Sequence, residues 1–321
     1  MTEQKYNLND VTLQINISPG DLGYAEQTIP FLLANHRQVK NRLLIVDCCR
    51  PQKTTLLDPD VKFPLAAFNN RVKQLIEITE SFKAKGFFSS VYYLKPKDPL
   101  IKRLSKKYLR GVYDCTHGAG GTANMSYWAG IELTKTKFVL HYDSDILVHQ
   151  TKGYDWVKEA LNLMQQDQDC VAAVPRLTPP TQDLMDLPSF QEGRPNESHN
   201  RYWLNDFFST RHFLLNKERL AQYFPLISGK LLVELLLRKY LKRAFPLDPE
   251  IILFRSVGAK GGKRMVLKTS DAWILHPDKK GDLFMQLLPG IIKAVSEGIF
   301  PLKQAGYENI NLEAWAEFLN D

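Results

Sequence analysis

Only four cysteines occur in 321 residues, Cys48, Cys49, Cys115 and Cys170, and no two are spaced as C-x-x-C. That argues against a zinc site or a disulfide framework and for a reducing compartment. Long apolar runs are missing too. No stretch reaches 18 apolar residues, so no membrane-spanning helix is expected, and Met1 to Asp10 is polar with no apolar signal segment. A cytoplasmic location follows as an expectation. No Gly-Lys-Ser/Thr follows a Gly-rich loop, which excludes a Walker-type phosphate loop. No internal repeat is evident. Charge is only moderately one-sided: 42 Lys and Arg against 35 Asp and Glu, a net +7. This suits an anionic ligand, such as nucleotide phosphates or an acidic membrane surface, and is too diffuse for DNA, so no nucleic-acid partner is expected. What is present is the 44% hydrophobic and 24% charged composition of an ordinary globular protein, long enough for one large domain or two small ones.

Along the chain, strand and helix patterns alternate. Val11 to Ile17 alternates as a strand and ends in the turn Ser18-Pro19-Gly20-Asp21. Ala25 to Gln38 reads as a helix. Arg42 to Val46 is a continuous apolar run ending at Asp47, the pattern of a buried parallel strand. Helices are expected at Leu65 to Lys85, Leu100 to Leu109 (basic), Thr122 to Thr134 and Trp156 to Gln166. Strands are expected at Ser89 to Leu94, Lys137 to Tyr142 and Cys170 to Val174. This order predicts an α/β fold with a mainly parallel sheet, whose ligands sit at the carboxyl ends of the strands. After Val174 the pattern degrades. Thr178 to Asn200, with many prolines, reads as a long mobile loop. Ser228 to Phe245 reads as a Leu-rich helix carrying Lys230, Arg238, Lys239, Lys242 and Arg243. Its Leu face counts as core; the alternative is contact with an anionic membrane.

The acidic turn Asp143-Ser144-Asp145 ends the apolar run Phe138 to Tyr142. Alone, D-x-D is a common turn with solvated carboxylates. At the end of a buried strand, beside the expected crevice, the two carboxylates suit Mg²⁺ or Mn²⁺, which keep open positions for phosphate oxygens. Alternation would put Asp143 and Asp145 on one side. Upstream, His117-Gly118-Ala119-Gly120-Gly121-Thr122 opens a helix, and its backbone N–H groups suit an anion or a close sugar, or the turn is structural. Downstream, Asp248-Pro249-Glu250 has the form of a helix start with Asp as cap. Either carboxylate also suits a general base. The expected strand Ala272 to Leu275 ends at His276, which can complete a metal shell, beside Lys279 and Lys280, which can neutralise a diphosphate.

These pieces together resemble the GT-A-fold glycosyltransferases, most closely the inverting family 2, over roughly residues 11 to 280. Pro19 with Asp21, then Asp47, then Gly121 through Asp145, then Asp248 to Gly262, then His276 follow that family's order, and Ala123-Asn124 to Asp145 matches best. The resemblance implies a three-layer α/β/α sandwich with a mixed, mainly parallel sheet. It implies one domain over 1–321, with a nucleotide-sugar half at 11–150, an acceptor half at 151–282 and a helical extension at 283–321. Pro19, Asp21, Asp47, Gly120, Gly121, Asn124, Asp143 and Lys279 would then contact the donor, with Asp47 on base or ribose. Asp143, Asp145 and His276 would bind Mn²⁺ or Mg²⁺, and Asp248 or Glu250 would be the base. The implied reaction moves a sugar from a nucleoside-diphosphate sugar, a UDP-sugar above all, to a glycan, lipid-linked or small-molecule acceptor, with inversion. Pro249 separates the two acids that the family usually has adjacent. The Gln-x-x-Arg-Trp motif of processive members is absent, which points to single addition. Two rivals are a nucleotidyltransferase, disfavoured by the short acidic turn at Ser18 to Asp21, and a non-catalytic nucleotide-sugar-binding or membrane-peripheral protein.

Overall fold

The computed structural model describes residues 7–181, 195–241 and 247–320. Eleven strands are described: β1 (Val11–Ile17), β2 (Asn41–Asp47), β3 (Ser90–Leu94), β4 (Phe138–Asp143), β5 (Leu147–Gln150), β6 (Cys170–Val174), β7 (Glu197–Ser198), β8 (Tyr202–Asn205), β9 (His212–Asn216), β10 (Lys263–Leu267) and β11 (Ala272–Leu275). Nine of them form one sheet in the order β3-β2-β1-β4-β9-β6-β10-β8-β7, and β11 pairs with β5 in a separate ladder. The block β3-β2-β1-β4 is parallel, and β9 enters antiparallel between β4 and β6. Within this sheet only β8 and β9 run against the rest. The expected α/β class with a mixed, mainly parallel sheet is therefore what forms.

Every residue of β1 is buried, so both faces of the sheet are covered by helices. Val11, Leu13, Ile15 and Ile17 give one face its apolar character. The polar residues of the other face, Thr12, Gln14 and Asn16, are also buried, which alternation alone does not predict. The helix Asn124–Leu133 lies over them. It approaches so closely that a Cβ on Gly130 would stand 2.4 Å from Gln14 Oε1. That oxygen is 2.6 Å from His141 Nδ1, and Gln14 Nε2 donates to Asn16 Oδ1 at 2.8 Å, so the side chain cannot swing aside freely. Gly130→Ala is expected to cost about 1–3 kcal/mol by overpacking, read as a melting temperature lowered by roughly 2–5 °C. An unchanged melting temperature would mean that Gln14 yields.

Several expected boundaries shift. The first long helix is Ala25–Asn35 rather than reaching Gln38, because His36 turns inward to stack on Tyr142. The helix expected from Thr122 begins at Asn124, with Ala123 at its cap position and no side-chain cap. β4 runs on through Asp143, and Asp145 lies in the turn beyond it, so strand alternation does not govern the pair. The region after Val174 holds more order than its composition suggests: β8, β9 and β10 all lie there, and β9 is central and buried. The segment expected as a mobile loop falls partly outside the described residues (182–194); Glu197–Ser198 is a short strand. The helix expected over Ser228 to Phe245 is described over Gly229–Tyr240, and 242–246 lie outside the described residues.

A second apolar cluster stands behind the acidic turn. Leu147 of β5, Trp273 and Leu275 of β11, and Phe31 pack with Phe284, Leu288 and Ile291 of the helix Asp282–Glu297 and with Trp315 of the helix Leu312–Asn320. The C-terminal helices thus support the strand pair on which the acidic turn ends.

Candidate active site

The carboxyl ends of β1, β2 and β4 open onto a cavity of about 490 Å³, within the range of small-molecule sites. Pro19, Asp21, Asp47, Gly121, Asp143 and Asp145 line it, with Tyr24, His117, Ser126, Tyr127 and Lys280. Four carboxylates from three separate stretches of the sequence therefore meet in one crevice.

Each is held differently. Asp47, at the end of β2, accepts Cys49 N–H at 2.7 Å and Ser126 Oγ–H at 3.0 Å, and His117 Nε2 is 3.8 Å away. Burial pushes its carboxyl upward against these partners. Asp21 closes a capping box with Ser18, accepting from Ser18 N at 2.6 Å and Ser18 Oγ at 2.9 Å, and it also accepts the Tyr24 hydroxyl. Its oxygens are thus taken up by its own turn, and it braces Tyr24. Asp143 accepts the Tyr127 hydroxyl at 2.9 Å to each oxygen, and His141 Nε2 is 3.3 Å from Oδ1. Burial foremost, then Asp143, Asp145 and Glu250, raise the Tyr127 phenol well above its ordinary value, so it stays a neutral donor.

Asp145 is nearly inaccessible, at 4% exposure. Its Oδ2 pairs with the Lys280 ammonium and lies 3.9 Å from His276 Nε2, while its buried Oδ1 has no hydrogen-bond partner among the described residues. Burial alone would lower the Lys280 pKa, but Asp145, Asp21 and Asp143 outweigh it and the net shift is upward. His276 Nδ1 is 3.2 Å from Asn309 Oδ1 and can only donate there, which leaves Nε2 with its lone pair toward Asp145. Burial lowers the His276 pKa, favouring that neutral form. The backbone of His276 is fixed by Glu308 O at 3.0 Å and Ile310 N at 2.9 Å.

The free carboxylate oxygen of Asp145 is of the kind that would suit a hard divalent cation. Asp145 and Asp143 share the cavity wall, whereas His276 does not line the cavity and its Nε2 approaches the Asp145 oxygen that is paired with Lys280. Among the described residues no three His, Cys, Asp or Glu side chains are grouped closely enough to hold a metal ion by themselves. Mg²⁺-type sites are commonly open in this way, with phosphate oxygens and water completing the shell. Asn309→Ala is expected to weaken Mn²⁺ binding about 10–100-fold, checked by titrating the ion calorimetrically; unchanged affinity would remove His276 from the site.

The Gly-rich turn is in part bonded to itself, as its structural reading expects. Four of its amides are taken up locally: Gly118 N bonds Thr122 O, Gly121 N bonds Gly118 O, Asn124 N bonds Thr122 O and Met125 N bonds Thr116 O. These N–H groups are not offered to an anion. Gly121 lines the cavity at φ 95°, a conformation that favours glycine, whereas Gly120 does not line it. Asn124 points away from the cavity and donates to Asp248 Oδ1 at 3.0 Å, and Asp248 fits against Gly118, where a Cβ would stand 2.6 Å from that oxygen. Asp248 does occupy the cap position of the helix Pro249–Ser256, yet its side chain makes no cap bond because it is turned to Asn124. Glu250, in the first turn of that helix, does not line the cavity, but its charge reaches the Tyr127 hydroxyl. Of the two lysines, Lys280 enters the cavity and Lys279 is exposed outside it.

No protein-family model and no curated protein matches the chain. Among solved structures, S. aureus TarS 1–349 in complex with UDP-GlcNAc is similar at 11% identity and TM-score 0.42, over 97% of this chain and 71% of that one. TarS 1–349 is also found at 10% identity and TM-score 0.40, over 89% of this chain and 66% of that one. The galactosyltransferase LgtC with donor and acceptor sugar analogs gives 11% and 0.34, over 79% and 72%. Identities and scores this low assign no activity.

Sequence reasoning missed Ser126, Tyr127 and Asn309. The first two had a signal: they follow Asn124 on the helix leading to the acidic turn. Asn309 had none, since only the bridge between His276 and Asn309 brings it close.

Proposed function

We propose that the chain is a GT-A-type glycosyltransferase, nearest the inverting family 2, that moves a sugar from a nucleoside-diphosphate sugar, a UDP-sugar first, to an acceptor hydroxyl, one sugar per encounter. The observation that carries this reading is the convergence of Asp47, Asp143, Asp145 and Lys280 on one crevice at the strand ends. Asp47, pinned by Cys49 and Ser126, would accept from ribose or base. Asp145, His276 and Asp143 would hold Mn²⁺ or Mg²⁺, which when bound neutralises the diphosphate and improves it as a leaving group. Lys280 adds a fixed positive charge on the same side. Glu250 takes the proton of the acceptor hydroxyl as its oxygen bonds to the anomeric carbon and the bond to the diphosphate oxygen breaks on the opposite face, giving inversion. The acceptor is a glycan, a lipid-linked sugar or a small molecule.

The test is a thermal-shift screen of UDP-, GDP-, CMP- and dTDP-sugars with and without Mn²⁺. At a hundredfold excess over Kd the linkage is about 2.7 kcal/mol, or roughly 4 °C for a chain of this size. A shift that needs both a nucleotide-sugar and the ion, with release of the nucleoside diphosphate, supports the reading. Pyrophosphate release from a nucleoside triphosphate would instead make it a nucleotidyltransferase.

A further inference from the structure

Asn16 is the second-last residue of β1 and lines the cavity. Register places it opposite Asp143 of β4 on one side and Ile45 of β2 on the other, two residues before Asp47. It therefore stands between the two strands whose carboxylates end in the crevice. Only 9% of the residue is exposed.

The two ends of its amide fare differently. Oδ1 accepts from Gln14 Nε2 at 2.8 Å. Nδ2, which carries two N–H donors, is buried and has no hydrogen-bond partner among the described residues. Rotating the amide about its last bond would exchange the two atoms, and the neighbours oppose that. Gln14 turns its NH₂ toward Asn16 because its own Oε1 faces His141 Nδ1 at 2.6 Å. Gln14 and His141 are fully buried, and the helix Asn124–Leu133 presses on Gln14 at Gly130. A flipped Asn16 would set NH₂ against NH₂. The chain His141-Gln14-Asn16 thus ends in one unused donor at the cavity wall. Buried polar groups are nearly always paired, so a partner arriving with the ligand is the natural complement.

We propose, resting on the nucleotide-sugar reading of this cavity, that Asn16 is a nucleotide-binding residue. Its Nδ2 gives a neutral N–H hydrogen bond to an acceptor oxygen of the nucleotide, ribose or phosphate, on the path from Asp47 to the acidic turn. Gln14 and His141 are positioning residues that fix which end of the amide meets the ligand.

The test is calorimetric titration of UDP, with and without Mn²⁺, into the wild-type chain and the variants Asn16→Ala and Asn16→Asp. Asn16→Ala is expected to weaken UDP binding about tenfold, by the same factor with and without the ion. Asn16→Asp keeps the shape and the bond from Gln14 but puts an oxygen where the N–H groups were, and is expected to weaken binding at least as much. Uridine separates the two sources: a loss with both ligands places the oxygen on the ribose, a loss with UDP alone on the phosphate. Melting temperatures accompany the titrations, because a merely structural role would lower stability and leave the affinity of the folded protein unchanged. Wild-type affinity in either variant overturns the proposal. So does a loss confined to the Mn²⁺ titration, which would be an effect on Asp143 relayed through His141. Absence of UDP binding by the wild-type chain would instead remove the nucleotide-sugar reading, and this role of Asn16 with it.

Discussion

Asp145→Asn is expected to abolish the Mn²⁺-dependent thermal shift with a nucleotide-sugar and to lower turnover about 10²–10³-fold. The reason lies in the two oxygens of one carboxylate. Oδ2 is paired with Lys280, while Oδ1 is buried with no partner among the described residues, a condition that costs about 1–3 kcal/mol unless a ligand relieves it. Asparagine keeps the shape but offers one acceptor oxygen and no charge, and its NH₂ must face either the ion or the Lys280 ammonium. Lys280→Met separates the two roles: the ion should still bind, and turnover alone should fall. A wild-type shift in the Asp145→Asn variant would show that the donor is anchored elsewhere.

Glu250→Gln should lower kcat about 10²–10⁴-fold with KM for the donor little changed, the pattern of a lost general base. Asp248→Asn should cost on the order of tenfold, the equivalent of one neutral hydrogen bond. The asymmetry follows from their neighbours. Asp248 is committed to Asn124 and wedged against Gly118, so it holds the Gly-rich turn to the helix it precedes. Glu250 stands two residues further on, in the first turn of that helix, and its charge reaches Tyr127, which in turn bonds Asp143 in the cavity wall. The reverse ranking, with Asp248→Asn the more damaging, would move the proton chemistry to Asp248.

The N-terminal half of the fold was legible because its elements are local. The run Arg42 to Val46 is apolar and β-branched enough to read as a buried strand, and the acidic residues at Asp47 and Asp143 mark where such strands reach solvent. β9 was not legible. His212-Phe213-Leu214-Leu215-Asn216 is short, flanked by polar residues, and owes its central place to pairing with β4 and β6 on either side. At the site, carboxylate positions could be read from strand ends, but occupancy could not. Whether Asp21 serves a ligand or its own capping box, and whether the amides of Gly118 to Met125 face outward or bond each other, depends on turn geometry that residue types do not encode. Lys280 and Lys279 illustrate the same limit: adjacent, chemically alike, and separated only by the direction in which the chain leaves β11.

β5 follows the acidic turn directly and is paired residue for residue with β11, Leu147 to Leu275 and Gln150 to Ala272. A nascent chain emerging in order presents the acidic turn long before β11 exists, with an unpaired strand beside it. Such a long-range ladder closes late, since the intervening chain must be ordered first. Only that closure delivers His276 and Lys280 to Asp145, and only the residues beyond it, through Asn309, set the imidazole. On the proposed reading, donor capture would be withheld from forms of the chain in which β11 has not paired, and a bound nucleotide would report that this strand has found its place.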